Sequence, residues 1–238
     1  NSELDNSTEL KLTLIERSSA GGWLVRPQLS ASHLQILERF GRVPLPPYME
    51  RDEATASDRE RYQTLYARHP GSVAAPTAGL HLTPELLERC RQRGIDIATV
   101  TLHVGLGTFR PISASRLDDH VMHSEWCEIS TETVAAVRRT RSRGGRIVAI
   151  GTTSVRTLET GSQSGVLEPF QGDTRLFIRP PYDFHSVDVM FTNFHLPKST
   201  LLVLLSAFAG REQLLEAYQE AIASHYRFYS YGDAMLVL

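Results

Sequence analysis

The sequence predicts a mixed α/β protein, a sheet flanked by helices, preceded by a separate β unit. Three observations predict it. Strand-like and helix-like segments alternate from about residue 83 to the end, as they do where helices cover a sheet. Residues 1–30 carry the period-two alternation of a hairpin instead. Between them "PLPPYM" at 44–49 is a rigid extended stretch that separates two units. The chain therefore divides into a β unit at 1–30 and an α/β unit at 42–238.

Each element has its own signal. "ELKLTLIE" alternates, "SSAGG" turns and "WLVRP" returns. "SHLQILERFG" is one short helix ended by Gly41. Thr83-Pro84-Glu85 gives a helix start, with a cap, a first-turn proline and an acid near the positive pole; Gly94 ends that helix. "IDIATVTLHV" is a strand. Ser130 caps a helix running toward Gly144, and "RIVAI" is a buried strand. "TTSVRTLETG" is a short helix and "VDVMFT" a strand. Ser199 caps an apolar helix that ends near Gly210. "REQLLEAYQEAIASHYRF" places Leu214, Leu215, Tyr218 and Ile222 at helical spacing. "AMLVL" closes the chain as a strand.

Composition narrows the classes. The 238 residues are 41% hydrophobic and 22% charged, which fits a soluble globular protein. No apolar run approaches the roughly 20 residues of a membrane span, and no signal peptide is visible. Cys90 and Cys127 sit in unpaired apolar contexts, which favours a reduced, cytoplasmic protein. The net charge of −2 gives no global pull on nucleic acid. Of 25 cationic residues, however, only Lys11 and Lys198 are lysines. Arginine suits planar, bidentate contact to phosphate or carboxylate. Its densest cluster, "RRTRSRGGR", holds Arg138, Arg139, Arg141, Arg143 and Arg146. A solvated helix end would look the same, because cations suit the negative pole of the helix dipole.

Four polar loops on one sheet rim are the candidate site, since ligands of open α/β sheets bind beyond the strands' carboxyl ends. They are "AAPTAGLHLT" with Thr77, Gly79 and His81; "HVGLGTFRP" with His103, Gly105, Gly107, Thr108 and Arg110; "AIGTTSVR" with Gly151, Thr152, Thr153 and Arg156; and "FTNFHLPKST" with Asn193 and His195. Singly, each reads as turn or cap chemistry. Together they offer helix amino-termini whose free amides suit a carboxylate or a phosphate. The glycine turn is no dinucleotide fingerprint, because Arg110 stands where the third glycine is needed and Pro111 blocks a helix. No G-K-[ST] follows a glycine and no G-x-S-x-G elbow occurs. His120, His123 and Glu125 match no strong zinc spacing.

Long motifs carry a resemblance. "GSVAAPTAGLHLT", "HVGLGTFRPI", "MHSEW", "IVAIGTTSVRTLE", "VDVMFTNFHLPKSTLLVLLSAFAG" and "YRFYSYGDAML" resemble the S-adenosylmethionine:tRNA ribosyltransferase-isomerases, nearly continuously from about Pro44 to Leu238. The resemblance implies a metal-independent transferase and isomerase of queuosine biosynthesis, a tRNA-modifying enzyme of the cytoplasm. Its substrate and ribosyl donor would be S-adenosyl-L-methionine. The acceptor would be 7-aminomethyl-7-deazaguanine at the tRNA wobble position, and epoxyqueuosine-tRNA, adenine and methionine the products. The family carries an inserted β-barrel, of which 1–30 look like an incomplete remnant. The passage from "WLVRPQLSA" to "RVPLPPYM" is too short to finish it, and the family's "NDTRVIPARL"-like start is missing. A monomer is expected.

In this light the glycine turn makes room for the cofactor, and Thr77, Gly79, Gly105, Gly107, Thr108, Gly151, Thr152, Thr153 and Asn193 are the residues expected to bind it. A base near the sulfonium and an acid for the leaving adenine are required, for which His195, His103, His81 and His123 are candidates, with Asp233 and Glu125 as carboxylate alternatives. His195 is favoured, because a strand and Pro197 fix its loop. Arg138, Arg139, Arg141 and Arg143, with Arg110, Arg156 and Arg227, are expected to meet tRNA phosphates. Two rival readings remain: a non-catalytic tRNA-binding protein using Phe228, Tyr229 and Tyr231, and a metal-dependent hydrolase using His120, His123 and Glu125.

Overall fold

The computed structural model describes residues 9–17, 22–49, 56–109 and 111–238. Strands β1 (Leu12–Arg17) and β2 (Trp23–Pro27) pair antiparallel as a two-stranded sheet of their own. Most of the turn proposed between them, at 18–21, lies outside the described residues. No closed barrel occurs among the described residues. Helix α1 (His33–Phe40) begins in a capping box: the Gln35 N–H donates to Ser32 Oγ, and the Ser32 N–H donates to Gln35 Oε1. "PLPPYM" closes in a 3-10 turn at Pro47–Met49, and Tyr48 there bonds Ser230 near the carboxyl terminus.

Beyond helix α2 (Ala56–Arg61) and a 3-10 turn at Thr77–His81, helix α3 (Pro84–Gln92) starts at the Thr83 cap. The strand expected over "IDIATVTLHV" shrinks to β3 (Thr101–Leu102). Its partner β4 (Glu125–Ile129) meets it at only two positions, and Ile95 and Ile97 stay exposed. Helix α4 (Thr131–Ser142) is capped by Ser130, and β5 (Val148–Ile150) leads into α5 (Thr152–Thr160). There follow β6 (Phe170–Thr174), β7 (Val189–Asn193), α6 (Thr200–Ala209), α7 (Arg211–Ala223) and β8 (Ala234–Val237).

The single rim gives way to two small sheets. One is antiparallel, in the order β3-β4-β6. The other is mixed, in the order β5-β7-β8, with β5 and β7 parallel and β8 antiparallel to β7. Strands β4 and β6 had no alternation to betray them, since one carries Glu125 and Glu128 and the other Gly172 and Asp173. Helix α5 touches strands of both sheets and is buried on nearly every side. Its polar residues are satisfied there: Glu159 accepts the N–H groups of His185 and Ser186, and Thr160 shares a hydrogen bond with Thr174. Ile129, Val134, Ala149, Val155, Met190, Leu205 and Leu214 join seven of these elements in one core. Each of these Val, Ile, Leu and Met side chains contributes about 1.5–3 kcal/mol when fully buried. The core holds α5 so that its amino-terminus opens into a cleft.

Candidate active site

The cleft encloses about 430 Å³. Three of its walls come from loops singled out in the sequence: Thr77 from the 3-10 turn, Gly151, Thr152 and Thr153 from the start of α5, and Asn193 and His195 beyond β7. The glycine turn, also singled out there, brings Thr108, and His123 and Glu125 line the cleft as well. Tyr48, Tyr62, Tyr229 and Ser230 complete it from the two ends of the chain. Sequence reading gave Tyr48 and Tyr62 no role. Only the quoted "YRFYSYGD" hinted at this aromatic end.

At the amino-terminus of α5, Gly151 takes a positive φ of 84° and offers no side-chain cap. The first amides of the helix thus keep their donor capacity toward the cleft, at the positive pole of the dipole. The start of α6 differs, because Ser199 Oγ already accepts the Leu202 N–H.

Asn193 is 2% exposed. Its Oδ1 accepts from Thr77 Oγ1 at 3.0 Å, and its amide nitrogen donates to His81 Nε2 at 3.2 Å and to the Asp233 carbonyl at 3.5 Å. It therefore ties three chain segments together behind the cleft. Next to it, the His195 N–H donates to Tyr218 Oη at 2.8 Å, and His195 Nε2 lies 2.9 Å from Thr192 Oγ1. Burial pushes the His195 imidazole down from 6.5 to about 4, so it is neutral at pH 7.

The densest polar cluster centres on Glu125, which is 5% exposed. Its Oε1 accepts the Gly105 N–H at 2.8 Å and the Nε2–H of His123 at 3.0 Å, while Oε2 pairs with Arg156 Nη1. Burial raises the Glu125 carboxyl. The hydrogen bonds from His123 and Gly105 and the charge of Arg156 outweigh that, and hold it below the usual carboxylate range. Arg156 also donates to the carbonyls of Leu176 at 3.1 Å, Thr174 at 3.3 Å and His123 at 3.4 Å.

Several expectations change. Arg156 is 8% exposed and fully engaged, so it cannot lie on a phosphate-binding face. Gly107 makes room for a neighbour: a Cβ there would lie 2.5 Å from His123 Nδ1. Gly79 likewise abuts the Tyr66 hydroxyl, away from the cleft. His103 stacks on Trp126 with ring centroids 5.0 Å apart, and lines a neighbouring cleft. His81 is exposed beyond Asn193, and Asp233 is bound to Arg227 through both the backbone N–H and the guanidinium. Neither lines the cleft. Arg110 lies outside the described residues. Arg141 pairs with Asp188 at 2.6 Å, and Arg138 donates to the Leu167 carbonyl. Arg139 and Arg143 are exposed, with no partner among the described residues. His120 lies edge-on to Phe177. Among the described residues no group of three or more His, Cys, Asp or Glu is disposed to hold a metal, and no helix is long and apolar enough to cross a membrane.

Fold and site together define a mixed α/β protein with a small-molecule cleft where two sheets meet, bearing two imidazoles and an open helix amino-terminus. The chain belongs to the queuosine biosynthesis protein family, whose sequence model matches residues 2–237. A relative from Francisella philomiragia, an S-adenosylmethionine:tRNA ribosyltransferase-isomerase, is 51% identical over 226 residues. That match covers 95% of this chain and 67% of the relative. The crystal structure of the S-adenosylmethionine tRNA ribosyltransferase of Thermotoga maritima is 48% identical with a TM-score of 0.57. It covers 68% of this chain, which spans about half, 51%, of that protein.

Proposed function

We propose that this chain carries the catalytic α/β unit, residues 42–238, of an S-adenosylmethionine:tRNA ribosyltransferase-isomerase. It moves the ribosyl group of S-adenosylmethionine onto 7-aminomethyl-7-deazaguanine at the tRNA wobble position, with isomerisation to the epoxide, and releases adenine and methionine. The observation that carries this reading is the cleft itself, in which an open helix amino-terminus and two imidazoles face one space.

The sulfonium of S-adenosylmethionine acidifies the adjacent ribose carbon. A base removes a proton there, adenine leaves as the sugar opens, and the aminomethyl nitrogen attacks. Closure of the epoxide then expels methionine. In this cleft the amino-acid carboxylate of the donor suits the amides of Thr152 and Thr153. The rings of Tyr48, Tyr62 and Tyr229 offer faces for the adenine or for the sulfonium charge. His123 and His195 are the two candidates that reach the reacting atoms. Asn193, Thr77 and His81 set the loops, Gly105 donates to Glu125, and Gly107 leaves room for His123. Arg139 and Arg143 are the exposed cations best placed to meet tRNA phosphates.

Precursor tRNA incubated with the chain and S-adenosylmethionine should gain the mass of epoxyqueuosine, with adenine released in equal amount. Binding of tRNA without adenine release would reject catalysis and leave a tRNA-binding protein.

A further inference from the structure

Two imidazoles line the cleft, and the structure distinguishes them. His123 stands two residues before Glu125, and only its Nε2 edge is taken. That nitrogen lies 3.0 Å from Glu125 Oε1. The carboxylate is ionised and only accepts, so Nε2 carries the proton and Nδ1 keeps the lone pair. Among the described residues nothing bonds Nδ1. Both side chains line the cleft, but that of His123 is 33% exposed and that of Glu125 4%, so the imidazole is the more open of the two. Gly107 packs against the ring and leaves it room, since a Cβ there would lie 2.5 Å from Nδ1, 2.6 Å from Cγ and 2.9 Å from Cε1.

Glu125 is fixed in turn. Its second oxygen faces the Arg156 guanidinium, which three backbone carbonyls hold in place. Arg156 sits about one turn into α5, the helix whose first residues line the same cleft.

Resting on the functional reading above, we propose that His123 is the base that takes the proton from the ribose carbon beside the sulfonium, with Glu125 and Arg156 as its positioning residues. In that step the carbon–hydrogen bond breaks and a bond from hydrogen to Nδ1 forms. The electron pair stays on the carbon, where the sulfonium stabilises it, and Glu125 faces the imidazolium so formed. Among the described residues His195 lacks such a partner: its ring bonds a threonine hydroxyl and no carboxylate, and burial leaves it too weakly basic to be matched to this task.

The assignment makes a prediction that a merely structural cluster does not. In Glu125→Gln one amide oxygen replaces the two acceptors that serve Arg156 and the Gly105 N–H; the charged guanidinium claims it, and the Gly105 N–H loses its partner. The amide NH2 then points at His123 Nε2, which must accept, so the proton moves to Nδ1 and the base is blocked. Replacing acid by amide beside a catalytic histidine imposes the wrong tautomer in this way.

The test is 15N NMR of the histidine ring nitrogens in the unaltered chain and in Glu125→Gln. It is read together with turnover and S-adenosylmethionine affinity, and His123→Gln serves as a second variant. The unaltered chain should show His123 protonated at Nε2, and Glu125→Gln should show it at Nδ1. Both variants should lose on the order of a hundredfold in kcat while cofactor affinity stays within about threefold. An Nδ1-protonated His123 in the unaltered chain overturns the proposal, and so does near-normal kcat in His123→Gln. Failure of the functional reading looks different: the unaltered chain then makes no epoxyqueuosine, whatever tautomer His123 shows.

Discussion

Burial at a single residue sets a pH dependence for the whole fold. His195 is neutral in the folded chain down to about 4, while the same imidazole released by unfolding takes up a proton near 6.5. Between those values the unfolded state binds more protons. Stability is therefore fully present above 6.5 and falls as the pH drops toward 4, by on the order of 3 kcal/mol across the window. His195→Gln keeps a side chain able to bond Thr192 but not to titrate. Urea titrations at neutral and mildly acidic pH should show a smaller loss of stability in that variant. An equal loss in both chains would mean that solvent reaches the ring in the folded state. Glu125 behaves in the opposite chemical sense. Its carboxyl is held low by its partners, so its contribution is present above the usual carboxylate range and is lost as the pH falls through the lowered value.

At the scale of elements, the turn after β3 shows how local glycines divide their work. The Gly105 N–H reaches Glu125, and a Cβ at Gly105 would come no nearer than 4.0 Å to that carboxylate. At Gly107 the added carbon would sit 2.5 Å from Nδ1 and 2.6 Å from Cγ of His123. Gly107→Ala should therefore displace the imidazole and lower turnover on the order of a hundredfold, the scale of a misplaced catalytic group. Gly105→Ala should leave the ring resonances of His123 in place. Unchanged His123 resonances in Gly107→Ala would show that the turn yields instead of the ring. The sequence marked this turn as special, but attributed both glycines to a cofactor. Nothing in "HVGLGTFRP" says that a histidine sixteen positions after Gly107 will lean against it.

Over the whole molecule, the cationic surface is smaller than the arginine count suggested. Arg156 is buried, Arg227 and Arg141 are paired with carboxylates, and Arg138 is bonded to a carbonyl. Arg139 and Arg143 remain for phosphate, so replacing both by Ser should lower the slope of log tRNA affinity against log salt by about 1 to 2. An unaltered slope would make them ordinary solvated charges at the end of α4. The sequence by itself determined the helices other than α2, and the caps of several of them, because capping and periodicity act over three or four neighbouring residues. It also determined the family, whose motifs are contiguous. Tertiary structure decided that there are two sheets instead of one, that α5 lies buried against both, and that Arg156 turns inward to Glu125. Those outcomes rest on contacts between residues twenty or more positions apart, such as Arg156 with Glu125 or Asn193 with Thr77. An arginine bound for the core reads the same in sequence as one bound for the surface. Only the carboxylate and carbonyls that meet it on folding offset the cost of removing it from water.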